Sequence, residues 1–215
     1  MSKKVLIDLF YDVISPYSLL GFEGLVRYQK VWPINLRLRP FFFPAVVKHN
    51  PGAPMLIDIK AKYTLIDVPR AAESYKIPFK FPENFKDIAI GKSAIKAQRV
   101  LNVLNQQSTD LEIAVARGLW RRFFYEGAGI FENEDIMKVM KEAGVSNPED
   151  IIKQSNSETN KKRLVDTTNE AMEYGCFGAP WITVHTDHGL EQFFGSDRLP
   201  VIAHMIGQKY IGPCP

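Results

Sequence analysis

The chain opens on a run of apolar positions, Val5-Leu6-Ile7-Asp8-Leu9-Phe10-Tyr11, whose length and β-favouring residues predict a strand. From Pro16 to Tyr28 the apolar residues recur at helical spacing. Pro16 suits the first helical turn, because its missing N–H would have no partner there. Ser15 is then the predicted N-cap, its hydroxyl beside the free N–H groups of that turn. Ile34-Asn35-Leu36-Arg37-Leu38-Arg39 alternates apolar and polar and predicts a half-buried strand. A helix separates it from the first strand, so the two are expected to pair in parallel. Phe41 to Pro54, interrupted by Pro44, Asn50-Pro51-Gly52 and Pro54, reads as an irregular loop.

Helical patterning then dominates from about residue 55 to 174. One helix holds Lys60 to Tyr63, and Asp67 with Pro69 marks a fresh start before Arg70. Pro78 and Pro82 predict an extended link. Ala97, Val100, Leu101 and Leu104 share one helical face, and Leu111, Val115, Leu119 and Phe123 form a second stripe. Further helices open at Asn133-Glu134-Asp135, with Gly144 as the stop, and at Asn147-Pro148. A last one runs through Leu164, Thr167 and Ala171 to Gly175. Trp120, Phe123, Phe124 and Tyr125 are expected in the core, and Arg121-Arg122 on a solvated face. Trp181 to Phe194 predicts a hairpin turning at Asp187-His188-Gly189. Gly195-Ser196-Asp197 is expected to cap a final helix carrying Pro200 in its first turn.

A strand, a Ser-containing turn, a helix and then, much later, an X-Pro strand, a hairpin and a helix is the layout of a thioredoxin-type domain. The predicted fold class is therefore α/β: a thioredoxin-like domain with a large all-helical insertion. The expected division is 1–55 plus 176–215 for the thioredoxin-like domain and 56–175 for the insertion. Ser15-Pro16-Tyr17-Ser18 stands where such domains carry Cys-x-x-Cys, so dithiol–disulfide exchange through this motif is excluded.

Charge and cysteine usage narrow the picture. A net charge of +3 spread along 215 residues does not argue for nucleic acid and is compatible with a small anionic ligand. No apolar run is long enough to span a membrane, and Met1-Ser2-Lys3-Lys4 leads straight into strand residues without a cleavable signal. Cys176 and Cys214 are far apart, which makes a disulfide framework an unattractive reading and a reducing compartment the default; Cys176 reads as a small buried residue. His49, His185, His188 and His204 show no ligand spacing, so no metal is expected.

With Phe10-Tyr11-Asp12-Val13-x-Ser15-Pro16-Tyr17-Ser18, Leu20-Gly21-Phe22-Glu23, Arg39-Pro40, Tyr174-Gly175-x-Phe177-Gly178-x-Pro180, Phe194-Gly195-Ser196-Asp197-Arg198 and Gly212-Pro213, the chain resembles a kappa-class glutathione transferase, a class related to DsbA-type disulfide oxidoreductases. The matches span nearly the whole chain in order. Leu19 departs from the family's frequent Trp, which bears on the second-substrate pocket. The resemblance implies glutathione as co-substrate with no permanently bound cofactor, a small hydrophobic electrophile as partner, a homodimer, and a mitochondrial or peroxisomal location, with the cytosol as the alternative. The C-terminal Gly212-Pro213-Cys214-Pro215 is no Ser-Lys-Leu signal.

The residues supply a chemistry that fits. A helix N-terminus stabilises an anion, and a thiolate there is favoured. Ser15 is the catalytic candidate, donating to the glutathione sulfur; as the bland alternative it is a cap and nothing more. Pro16 and Tyr17, in the same turn, and Pro180 are expected to bind glutathione with it. By resemblance Asn50 contacts glutathione, Ala179 offers its backbone beside a cis bond to Pro180, and Ser196 and Asp197 take the γ-glutamyl carboxylate and ammonium; capping alone is their alternative. Lys60 is a weaker candidate for the glycyl carboxylate. The expected reaction is conjugation of glutathione to electrophilic carbon, with peroxide reduction as an accompanying activity. A glutathione-dependent isomerase of the 2-hydroxychromene-2-carboxylate type and a non-catalytic thioredoxin-like binding protein or chaperone are the alternatives.

Overall fold

Val5–Tyr11 (β1) forms the centre of a four-stranded sheet in the order β2-β1-β3-β4, built with Ile34–Pro40 (β2), Trp181–Thr186 (β3) and Gly189–Phe194 (β4). The structure is a computed structural model and describes residues 4–50, 52 and 56–215. β1 and β2 are parallel, with Leu9 opposite Leu38, whereas β3 runs antiparallel to both β1 and β4. The parallel pair follows from the crossover helix Pro16–Tyr28 (α1) between its strands.

β1 is buried on both faces. Ile7, Leu9 and Tyr11 join the main core with Phe22, Leu25, Leu101, Leu119, Trp120 and Val184, which ties the sheet to the helical block. Phe10 faces the other way, into a cluster with Phe41, Val46, Ala171, Cys176, Ala179 and Trp181. Successive strand side chains point to opposite faces, so this one strand organises both clusters. Cys176 is buried as expected.

Helices fill the middle of the chain: Phe43–His49 (α2), Asp58–Ser74 (α3), Phe85–Gly91 (α4), Ile95–Gln107 (α5), Thr109–Phe124 (α6), Asn133–Glu142 (α7), Pro148–Ser155 (α8) and Glu158–Glu173 (α9). The expected apolar stripes of α5 and α6 are buried, apart from Leu111, which is half-buried. Gly144 takes φ +82° just past the cap of α7, the left-handed stop its position predicts.

Four expectations are corrected. The span 43–49 is helical, not an irregular loop; Pro44 sits in the first turn of α2, where its ring does no harm. Pro51 and Pro54, expected breakers there, lie outside the described residues. Pro69 does not start a helix but lies inside α3, where the buried stripe Ala61, Thr64, Val68 and Ala72 outweighs one missing hydrogen bond. Trp120, Phe123 and Phe124 are core residues, but Tyr125 is 54% exposed because α6 ends at Phe124. Arg121 is solvated, whereas Arg122 donates to Gly129 O and to Asp135 Oδ1, both at 2.7 Å.

One buried acid ties the helical block to β1. Tyr11 Oη donates to Glu112 Oε1 at 2.8 Å, and Asn105 Nδ2 donates to Oε2 at 2.7 Å. Burial pushes the Glu112 carboxyl up to about 8, against the lowering effect of those two bonds. A group with a raised folded-state pKa binds its proton more tightly folded than unfolded. Its contribution is therefore present at low pH and is lost as pH rises from the ordinary carboxylate value towards about 8. Glu112→Gln is expected to flatten the decline in unfolding free energy between about pH 5 and pH 8 by roughly 2–4 kcal/mol. Urea unfolding at several pH values checks this; parallel declines for the two proteins would contradict it.

Candidate functional site

Three segments distant in sequence meet at the N-terminal end of α1. The first is the turn after β1. Ser15 is extended there, and its Oγ accepts from Ser18 N at 3.1 Å, the predicted cap. The same hydroxyl donates to Ala179 O at 3.2 Å, in the second segment. The Ala179–Pro180 bond is cis, as expected. Its carbonyl is not wholly free, since Ser15 already uses it. The third segment follows β4: Gly195 N donates to Pro180 O at 3.1 Å, and Gly195 takes φ +99°.

This convergence needs two glycines on α1. A Cβ at Gly21 would lie 3.0 Å from Pro180 Cγ and 3.7 Å from Ser196 Cα; one at Gly24 would lie 2.5 Å from Leu199 Cδ1. A side chain at Gly21 would press on Pro180, and one at Gly24 would force the Leu199 side chain to move.

A cleft of about 1770 Å3 opens over the junction. Among the expected site residues, Ser15, Pro16, Tyr17, Asn50, Lys60, Ala179, Ser196 and Asp197 all line it. Pro180 does not; it packs behind, against Gly21. Leu19 does not line it either. It faces a separate pocket of about 590 Å3 with Ile77, Trp120 and Val139, so its departure from Trp does not shape this cleft.

The expected capping role of Ser196 and Asp197 is corrected. Ser196–Arg198 forms a short 3-10 turn, and the last helix, Leu199–Met205 (α10), begins after it with no side-chain cap. Pro200 is in its first turn as predicted. Ser196 is a buried residue on the cleft wall, and its carbonyl accepts from Tyr75 Oη at 3.4 Å. The Asp197 carboxylate bonds to the Arg198 guanidinium, which holds it below the ordinary value and hence anionic.

No acidic residue sits in the first turn of α1, so no side chain of that turn itself carries a charge opposing a bound anion. Lys48 and Lys60 add positive charge to the walls. On the opposite wall Tyr17 Oη donates to Asp67 Oδ2 at 2.7 Å, and Tyr63 Oη donates to Oδ1 at 3.2 Å. Burial first, then Asp67, pushes the Tyr17 phenol well up, so it remains a neutral donor. Apolar surface comes from Phe43, Val47, Leu56, Ile59 and Ile90, and from Phe177 packed on Phe194 with centroids 4.7 Å apart. Among the described residues no group of three His, Cys, Asp or Glu side chains is arranged to hold a metal, and no helix is long and apolar enough to cross a membrane.

Sequence reasoning missed the groups beneath the Ser15 turn. Asp12 has no exposed surface; its Oδ1 accepts from Ile14 N at 3.1 Å and its Oδ2 from Phe43 N at 3.0 Å. Gln98 on α5 accepts from Val13 N at 3.3 Å and donates to Tyr11 O and Phe41 O, both at 2.8 Å. The available signal was a lone acid directly after a hydrophobic strand.

A sheet of this topology with a polar turn facing a cis-proline defines a thioredoxin-type protein, and the family model described as DSBA-like thioredoxin domain matches residues 6–207. The chain is 39% identical to glutathione S-transferase kappa 2 of Caenorhabditis elegans, over 99% of this chain and 96% of that one. It is 35% identical to human glutathione S-transferase kappa 1, over 97% and 94%. Among solved structures, a 2-hydroxychromene-2-carboxylate isomerase superposes with a TM-score of 0.75 at 21% identity, over 94% of each chain, a likeness of fold. The chain thus belongs to the kappa-class glutathione S-transferases, within the DSBA-like thioredoxin domains.

The two thiols should differ sharply in reactivity. Burial pushes Cys176 up to about 11, and its Sγ donates to Gly178 O at 3.2 Å, whereas Cys214 is exposed. An aromatic disulfide reagent at neutral pH should modify one thiol quickly in the folded protein and the second only on unfolding. Two fast thiols would contradict the packing of Cys176.

Proposed function

We propose that this protein is a glutathione transferase that binds glutathione in the cleft, lowers the pKa of its thiol at Ser15 and transfers the sulfur to an electrophilic carbon. The observation that carries this is the placement of the Ser15 hydroxyl at the start of α1, 3.2 Å from Ala179 O, inside a cleft lined at both ends by groups that suit a zwitterionic peptide. Sequence identity of 39% and 35% to kappa-class transferases supports the same reading.

Glutathione is an extended tripeptide with a thiol in the middle. Its cysteinyl residue lies along Ala179, as a strand edge meets a peptide. To bond the sulfur, the Ser15 hydroxyl turns from Ala179 O; the amide of Ser18 continues to donate to its oxygen. A free thiol has a pKa of about 8.5, and a drop of about two units needs roughly 2.7 kcal/mol. A hydrogen bond to a charged sulfur plus a helix N-terminus covers that amount without a general base. Once ionised, the sulfur attacks the electrophilic carbon, forming a C–S bond as the leaving group departs with its electron pair.

Ser196 takes the γ-glutamyl carboxylate and Asp197 its ammonium group, in competition with Arg198. Asn50 meets the glycyl end, with Lys60 near its carboxylate. The apolar wall of Leu56, Ile59 and Ile90 suits a small hydrophobic electrophile. A homodimer and a mitochondrial or peroxisomal location are proposed from the family resemblance alone.

Calorimetry with glutathione followed by a chlorodinitrobenzene assay tests the function. Binding with turnover is expected; binding without conjugation would favour an isomerase or a binding protein, and no binding would end the reading. Ser15→Ala is expected to keep glutathione affinity within a few-fold, raise the bound thiol's pKa by about 1–2 units and lower kcat roughly ten- to hundredfold. Ultraviolet titration of the thiolate decides this, and an unchanged pKa would remove Ser15 from the role. Asp197→Asn should weaken glutathione by about 1–2 kcal/mol, less than a buried charged hydrogen bond because the site is solvated. Unaltered affinity by calorimetry would reverse the proposed orientation.

A further inference from the structure

Asp12 contributes nothing to the surface of the cleft, yet it touches both walls. Its two carboxylate oxygens accept from Ile14 N, one residue before Ser15, and from Phe43 N, the first residue of α2. Its own carbonyl accepts from Ser15 N at 3.0 Å. α2 carries Phe43, Pro44, Val47 and Lys48 into the cleft and ends at Asn50. One side chain therefore sets the spacing between the segment that meets the sulfur and the segment that meets the glycyl end. Gln98 repeats the link one layer deeper, bonding Val13 N, Tyr11 O and Phe41 O.

We infer that Asp12 is a positioning residue for glutathione: in its carboxylate form it holds the Ser15 turn and the start of α2 in register, and with one oxygen protonated it cannot accept equally from both amides. The inference rests on the reading of the cleft as a glutathione site. The carboxylate is buried, with two backbone donors as its only stabilisers, and burial pushes it up to about 7. No Lys, Arg or His pairs with it among the described residues. The charged or titratable groups facing it among the described residues are Tyr11, its neighbour at the end of β1, and, through Tyr11, Glu112 on α6; around them lie Ser15 at the cap of α1, Ser18 within α1 and the neutral Gln98 of α5. None of these supplies a cation that would keep it ionised.

Burial raises this carboxyl towards the working pH range, and the two amide bonds give the direction expected. As pH drops below about 7 the carboxylate gains a proton, the tie to Ile14 or Phe43 loosens, and glutathione binds less well.

The test uses S-methylglutathione, which has no ionisable thiol, so the pH dependence of the sulfur is removed. Its affinity is measured by calorimetry between about pH 5.5 and pH 8, with amide NMR of the same protein. The wild type should lose roughly tenfold in affinity towards the acid end, with the Ile14 and Phe43 amide signals moving at the same midpoint. Asp12→Asn, which presents only one acceptor oxygen, should bind more weakly and show a flat profile. If Asp12→Asn does not fold, the wild-type profile and the two amide titrations decide alone. A wild-type affinity independent of pH, amides that do not titrate, or an Asp12→Asn profile with the wild-type slope would overturn the inference. No binding of S-methylglutathione or glutathione by the wild type at any pH would instead remove the function proposed above.

Discussion

The structure around the cleft depends on how closely α1 approaches the segments flanking β3 and β4. That approach is set by two missing side chains: Gly21 lets Pro180 lie against the helix, and Gly24 admits Leu199. A helix brought this close places its N-terminus directly over Ala179, so that the Ser15 hydroxyl reaches the Ala179 carbonyl at 3.2 Å. The same approach brings the turn around Ser196 to the cleft edge. Interiors are densely packed, so a side chain at Gly21 would press on Pro180 and one at Gly24 would displace the Leu199 side chain.

That geometry assigns distinct electrostatic tasks to neighbouring groups. The positive end of α1 carries no acid in its first turn and faces the sulfur's expected place. The acids near it are removed from that position: Asp12 is buried beneath the turn with backbone donors on both oxygens, and Asp67 is engaged by Tyr17 and Tyr63 on the wall. In the proposed function, serine at position 15 would give a hydrogen bond to a ligand's thiol where a dithiol protein carries its own cysteine, so that the helix end of a thioredoxin-type domain would serve a ligand's sulfur.

Much of this was legible in the chain. The two-residue period of Ile34–Arg39, the Ser-Pro start of α1 and the X-Pro entry to β3 gave the sheet and its connections, and the site residues proposed from resemblance line one cleft apart from Pro180. What escaped reading has physical causes. α2 is seven residues long with no side-chain cap, so its prolines outweighed its pattern. Pro69 stays in α3 because tertiary packing carries the helix across it. Asp12, Gln98 and Glu112 are polar residues with no exposed surface, and their burial arises only when α5 and α6 close over β1. The 3-10 turn at Ser196 looked like a helix cap because the residue types that favour caps also favour tight turns.

The central claim is that glutathione lies across this junction with its sulfur at the start of α1 and its γ-glutamyl end at the turn after β4. A crystal structure of the glutathione complex tests it most directly. The account predicts the sulfur within hydrogen-bond distance of Ser15 Oγ, the cysteinyl backbone paired with Ala179, the γ-glutamyl group against Ser196 and Asp197, and the glycyl end towards Asn50. A γ-glutamyl group seated beside Asn50, or a sulfur bonded elsewhere than Ser15, would contradict it.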